Sequence, residues 1–239
     1  MMRVLRNESE KREARAYLDA RGLSVLPTRS DRWLKRLRLS DKVLVGDPVK
    51  SWDVRATLAF FEERLGRDAP ILDIGAYASE VPVALHKLGY TRIHAVDLDP
   101  GLAGMPHADA IQYKVCDFMQ TPYPDASFQA VTSTSVIEHG FQPARLLAEA
   151  SRLLAPGGYF IASFDYWPEK LDTGGIQMFG MDWTILSRAD IEQFIGTAAG
   201  HGLVPVGDLA YEAGDALISC AGRDYTFGWL AMVKEARRA

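Results

Sequence analysis

Residues 70–85, read with 92–100 behind them, constrain this chain more than any other stretch. Ile71-Leu72-Asp73-Ile74 is a short apolar run that carries one carboxylate. Gly75-Ala76-Tyr77-Ala78-Ser79 is a turn of mostly small residues, and after Glu80 the apolar Val81, Val83, Ala84, Leu85 and Leu88 return at helical spacing. That pattern predicts strand, tight turn and helix. The next predicted strand, Ile93-His94-Ala95-Val96, ends at Asp97, 22 positions beyond Gly75. A nucleotide-binding sheet places an acid for a ribose diol at about that distance.

The rest of the chain alternates in the same way. A helix is expected from Ser51, as its N-cap, to about Leu65. Strands are expected at 71–74, 93–97, 111–115, 128–132 and 159–164, with helices at 79–88, 142–154 and 187–199. Three late strands (203–206, 216–219, 226–233) have no helices between them. The expected fold is therefore α/β: a doubly wound, mostly parallel seven-stranded sheet with an antiparallel edge strand, Rossmann-like. Residues 51–239 would form this catalytic domain, and residues 1–50 a helical extension or lid. A chain of 239 residues suits that plan.

The charge is uneven. Residues 1–42 hold 12 Lys/Arg against 6 Asp/Glu, whereas the whole chain has a net charge of -4. Within this basic arm, residues 30–39 place Trp33, Leu34 and Leu37 among Arg32, Lys35, Arg36 and Arg38. Trp33 and Leu37 are expected to pack on the main domain. The two cysteines, Cys116 and Cys220, do not make a disulfide framework and are expected to be buried thiols. No run approaches 18 apolar residues, so no membrane span is expected, and the charged first twenty residues do not read as a signal peptide. A reducing cytoplasm is the expected compartment.

Asp73, Asp97 and Asp117 fall at three successive predicted strand ends, on the edge where open parallel sheets bind ligands. Each alone could cap a following helix. No His/Cys/Asp group has metal-ligand spacing.

Here the sequence resembles the class I S-adenosylmethionine-dependent methyltransferases, of the small-molecule type. The resemblance runs over residues 71–164, with a fainter tail to 234. It is carried by residues 71–75, Ala95-Val96-Asp97-Leu98-Asp99, Val115-Cys116-Asp117-Phe118, 122–130, 134–139 with its Ile-Glu-His triplet, and the Arg-Leu-Leu-Ala-Pro-Gly-Gly turn at 152–158. It implies S-adenosyl-L-methionine as cofactor. Gly75, Ala76, Tyr77 and Ser79 would surround its methionine part and Asp73 would hold its ammonium group. Asp97 would accept from the ribose hydroxyls, Asp117 from the adenine amino group, and Leu98 and Phe118 would lie against the ring. Ser133 and Thr134 would line the cofactor. His139 and Asp165 are the catalytic candidates, Tyr166 and Trp167 the substrate-binding ones. Residues 168–183 have the profile of a lid, and Lys50, Trp52 and Asp53 could close over the cofactor from the N-terminal side. The chain departs from the family at Tyr77 and Ser79, where glycines are usual.

The implied reaction is methyl transfer to a small-molecule or glycan-type acceptor, with oxygen as the expected atom. Three rival readings compete with it. A nicotinamide-dependent oxidoreductase needs Gly-x-Gly-x-x-Gly, and this turn has one glycine. A non-catalytic binding protein would draw on Tyr77 and Ser79. A nucleic-acid methyltransferase lacks both a base-flipping Asn-Pro-Pro-Tyr type motif and a basic overall balance. The sequence gives no oligomeric state.

Overall fold

Strands buried on both faces must carry apolar residues at successive positions, and Ile71-Leu72-Asp73-Ile74 is buried throughout. A computed structural model of the chain describes residues 1–40 and 42–236. It opens with β1 (Met2–Val4), α1 (Glu8–Ala20), α2 (Arg29–Arg36) and α3 (Ser51–Arg64). Next come β2 (Ile71–Ile74), α4 (Val81–Lys87), β3 (Ile93–Asp97), β4 (Ile111–Val115), β5 (Phe128–Thr134), α5 (Pro143–Leu153) and β6 (Leu154–Tyr166). A small ribbon of β7 (Gln177–Met178) and β8 (Met181–Asp182) follows, then α6 (Arg188–Gly200), β9 (Leu203–Pro205), β10 (Ile218–Cys220) and β11 (Arg223–Lys234).

The main sheet runs β4-β3-β2-β5-β6-β11-β1, a path of seven strands. The first five are mutually parallel and β11 is antiparallel to β6. The expected fold class is thus observed. The outer edge of β11 is shared by β10, β1 and β9, all antiparallel to it. Three short partners leave little of that edge open to another chain.

Period-two alternation divides the core. Leu72 and Ile74 face a cluster with Leu146, Leu147 and Phe194 from α5 and α6. Ile71, Ile93 and Ala95 face the other side, with Leu58 and Phe61 of α3 and Val81 and Leu85 of α4. Helix α6 begins as expected: Ser187 and Asp190 form a reciprocal capping box.

Several local expectations are corrected. The arm is not purely helical, since Met2–Val4 pairs with Gly228–Leu230 and completes the sheet. Ser51 is the first residue of α3, not its N-cap, because a 3-10 turn capped by Asp47 precedes it. Its hydroxyl donates to the Pro48 carbonyl at 2.5 Å. Trp33 and Leu37 do not pack on the domain; they are 59% and 46% exposed. Burying that stripe would carry the interleaved Arg and Lys side chains out of water, which is costly without partners. Cys116 and Cys220 are free thiols, half-buried rather than buried.

The chain leaves β2 for β3 and β4 on one side and returns to β5 and β6 on the other. Strand order reverses beside β2, which opens a crevice at the carboxyl ends of β2, β3 and β5.

Candidate active site

The site is built on the turn that takes the chain from β2 into α4. Gly75 has φ +68. A Cβ there would fall 2.2 Å from Cγ2 of Val136, in the loop after β5. Only glycine allows these two loops to close on each other. Tyr77 takes no left-handed conformation; Ala78 does, at φ +58. The Tyr77 N–H donates to Asp97 Oδ2 at 2.9 Å. Its ring lies over Gly101, where a Cβ would meet Tyr77 Cε2 at 2.7 Å. The bulky residue is thus accommodated along the crevice wall.

The crevice is a cavity of about 650 Å³, within the size range of small-molecule sites. Gly75, Tyr77, Ser79, Asp97, Leu98, Phe118, Thr134 and His139, all named from sequence, line it. Seven others stand outside the lining: four cofactor candidates, Asp165, Tyr166 and Trp167. Asp73, Ala76 and Ser133 are buried in the wall behind. Asp117 is exposed, accepting from Met119 N–H at 2.8 Å and standing 3.5 Å from Arg145. Tyr166 is fully buried and donates its hydroxyl proton to the Tyr211 carbonyl at 2.8 Å. Trp167 packs in the apolar cluster with Trp183 and Tyr225. Neither lines the cavity.

Asp97 sits at the end of β3, where its Oδ1 also accepts from the Asp99 N–H at 2.9 Å. Each carboxylate oxygen keeps further acceptor capacity. Asp73 is fully buried, and burial pushes its carboxyl up to about 7, with the Thr132 and Ser79 hydroxyls offsetting only part. The folded protein therefore holds this proton more tightly than the unfolded chain. Stability falls as pH rises from about 4 to about 7, and the penalty is complete above that window. Asp73→Asn removes the penalty. Thermal melting of the ligand-free protein should show a Tm gain that is largest at pH 8 and shrinks at pH 5.

A second group of polar residues lies at the other end. Lys50 lines the cavity. Its ammonium donates to the Ser135 hydroxyl, stands 3.7 Å from Asp165 Oδ1 and lies 3.7 Å over the Phe227 ring. Asp165 Oδ2 accepts from Trp183 Nε1 at 2.8 Å. Asp53 and Glu138 are fully buried behind this pair. Burial pushes Asp53 up to about 6. Burial, reinforced by Asp165, pushes Glu138 well above the usual carboxyl range. One lysine cannot balance three carboxylates in a dry site, so ionisation of Glu138 is strongly disfavoured. Burial also lowers the His139 pKa, with Lys50 adding to the effect and Asp165 opposing it. The imidazole is neutral at pH 7 and able to take a proton. Its ring meets Phe179 edge-on, centroids 5.2 Å apart.

Of the N-terminal candidates Lys50 and Asp53, Lys50 lines the cavity and Asp53 lies buried behind it. Sequence reasoning missed Ser135, Glu138, Phe179, Met181 and Glu80. Glu138 had a signal, being an acid beside the apolar Val136 and Ile137. Among the described residues, no group of three or more His, Cys, Asp or Glu is placed to hold a metal ion.

Comparison with known proteins agrees with this geometry. Residues 72–162 match the family model described as a methyltransferase domain. Over that stretch the chain is similar to the class I S-adenosylmethionine-dependent methyltransferases. The match spans β2 to β6 and so includes the Gly75 turn, Asp97 and His139. No curated protein sequence matches the chain. Three of the solved structures that share this fold illustrate the likeness. One, from Galdieria sulphuraria, is provisionally assigned as a sarcosine dimethylglycine methyltransferase (19% identity, TM-score 0.57, 87% of this chain and 99% of that one). The second is geranyl diphosphate C-methyltransferase from Streptomyces coelicolor A3(2) (18%, 0.57, 75% and 78%). The third is 1,6-didemethyltoxoflavin-N1-methyltransferase from Burkholderia thailandensis (18%, 0.54, 77% and 78%).

The crevice fits the donor that this family uses. The Gly75 turn lines it, and Asp97 offers acceptors beside the apolar Leu98 and Phe118.

Proposed function

We propose that this methyltransferase acts on a small molecule at a hydroxyl oxygen, with His139 as the base. The observation that carries the reading is the pairing of a neutral imidazole with a cation at one end of the cavity. S-adenosylmethionine supplies the electrophilic methyl group when bound. Gly75, Tyr77, Asp97, Leu98, Phe118 and Thr134 are the residues that would hold it. In-line displacement depends mostly on positioning, worth several kcal/mol, and a hydroxyl becomes a good nucleophile only as its proton leaves.

His139 takes that proton. Lys50, fixed by Asp165 and Ser135, favours the oxyanion that develops. The same cation penalises an acceptor nitrogen whose charge would become positive, which is the physical reason for preferring oxygen. Phenolic and sugar hydroxyls both belong to this class. Phe179 and Met181, at the tip of the small ribbon, line the cavity beside His139.

The test begins with calorimetric titration of S-adenosylmethionine and its demethylated product. Saturable micromolar binding is expected, weakened about 100-fold in Asp97→Ala through loss of charged hydrogen bonds. Turnover on a panel of phenols and sugars, followed by mass spectrometry, should drop about 100-fold in kcat in His139→Gln, with cofactor affinity retained. Absence of cofactor binding overturns the whole reading. Turnover confined to nitrogen or carbon acceptors overturns the choice of oxygen.

A further inference from the structure

We propose that α2 and the turn after it form a docking surface for an anionic lipid bilayer. The segment is apolar where a soluble surface should be polar. Trp33 and Leu37 stand one helical turn apart and both are exposed; Leu39, just beyond the helix, is 68% exposed. The helix buries no residue at all. It is nevertheless well formed, because Thr28 and Asp31 close a reciprocal capping box at its start. The apolar residues are therefore presented on an ordered element and not on a frayed end.

The charge on the segment selects the partner. Arg32, Arg36 and Arg38 form no ion pair among the described residues. Asp31, the helix's own acid, is occupied by Thr28. Tryptophan and leucine set among arginines and lysines are the composition of a helix that lies in a membrane interface. Its rings and aliphatic chains enter the acyl boundary while the cations meet anionic headgroups. A nucleic acid would use the cations and leave Leu37 and Leu39 in water. A packed protein core would use the leucines and strand the arginines. An anionic bilayer satisfies both sets at once.

The attachment of the segment gives the docking an orientation. Beyond α2 the chain runs back against the turn after β3, where Val43 stands 3.2 Å from the Cβ position of Gly104. Gly46 then donates to the Ala78 carbonyl at 2.9 Å, in the glycine turn itself. Gly46 and Asp47 line the cavity. A docked α2 would therefore hold the cavity's N-terminal rim toward the lipid. Residues beyond 42 are strongly acidic overall and keep the remaining surface off the bilayer. The proposal does not depend on the methyl-transfer reading, because its readout is binding to lipid.

The experiment is co-sedimentation of the full chain with vesicles of phosphatidylcholine alone and of phosphatidylcholine mixed with phosphatidylglycerol. Binding to the mixed vesicles only is expected, weakening as salt is raised. One basic side chain near an anionic surface strengthens binding about fivefold. The triple variant Arg32→Gln, Arg36→Gln, Arg38→Gln should thus lose about 100-fold. The double variant Trp33→Ser, Leu37→Ser should also bind more weakly with every charge retained. All five positions are surface ones, and an unchanged melting curve verifies the fold of each variant. No binding to mixed vesicles at low salt overturns the proposal. So does undiminished vesicle binding in the Trp33/Leu37 variant, which would identify a general polyanion surface suited to nucleic acid.

Discussion

Gly75→Ala should lower the unfolding free energy by about 3 kcal/mol and abolish cofactor binding. Two costs combine. A residue with a Cβ at φ +68 is strained by about 1–2 kcal/mol. The added methyl would also lie 2.2 and 2.8 Å from the two γ-carbons of Val136, an overpacking that costs about 1–3 kcal/mol. Rotating Val136 does not remove the clash, because its Cβ is itself 3.1 Å away. The loop after β5 must retreat, and that loop carries Ser135 and His139. Urea unfolding measures the first effect and calorimetry the second. Adding Val136→Ala should restore part of the stability, since it removes the two γ-carbon contacts and leaves the Cβ contact and the backbone strain. Full cofactor affinity in Gly75→Ala would show that the close approach of these loops does not build the site.

How far such a site can be read in advance depends on the distance over which its parts communicate. The β2 turn and Asp97 were legible because a strand, a turn and the next strand end lie within about thirty residues and each has a local pattern. Tyr77 was legible as a departure, but its accommodation was not. The left-handed position moved to Ala78, and the ring found room over Gly101. Strand β1 was invisible for a different reason. Three residues are too few to display alternation, and their partners are Gly228–Leu230 at the other end of the chain.

The acceptor end shows the same limit in its chemistry. Lys50, Glu138 and Asp165 come from before α3, after β5 and from β6. Each residue type was visible in the sequence, but only the sheet order makes them neighbours. The exposed stripe on α2 is the reverse case. Its amphipathic pattern was plain, and pattern alone assigned it to the core. Amphipathic periodicity specifies that a face wants an apolar neighbour, not that this chain provides one.

The arm's hold on the site gives the second large expected effect. Arg15 of α1 makes a bidentate pair with Glu80, at 3.1 and 3.0 Å, just before α4. The Glu80 side chain is 2% exposed and that of Arg15 16%. Glu80 also accepts from the Val25 N–H at 3.0 Å, and Arg15 reaches Ser24 and Ser51. One ion pair thus joins α1, its connector, α3 and the cavity wall. Glu80→Ala leaves the guanidinium and the Val25 N–H without that partner, and urea unfolding should record a loss of about 3 kcal/mol. This is the lower end of the range for a broken buried pair, because Arg15 keeps an exposed edge. Glu80→Gln, which keeps the shape and loses the charge, should fall between. The double variant Arg15→Met, Glu80→Leu should recover much of the loss, since most of it comes from the stranded charge and not from the worth of the pair. Cofactor affinity separates the structural role from a local one. If the pair holds the segment that bears Gly46, Asp47 and Lys50 against the cavity, Arg15→Met alone should weaken binding about tenfold, although Arg15 does not line the cavity. Unchanged affinity there would confine the pair to stability and leave the rim to be held by the Gly46–Ala78 backbone bond.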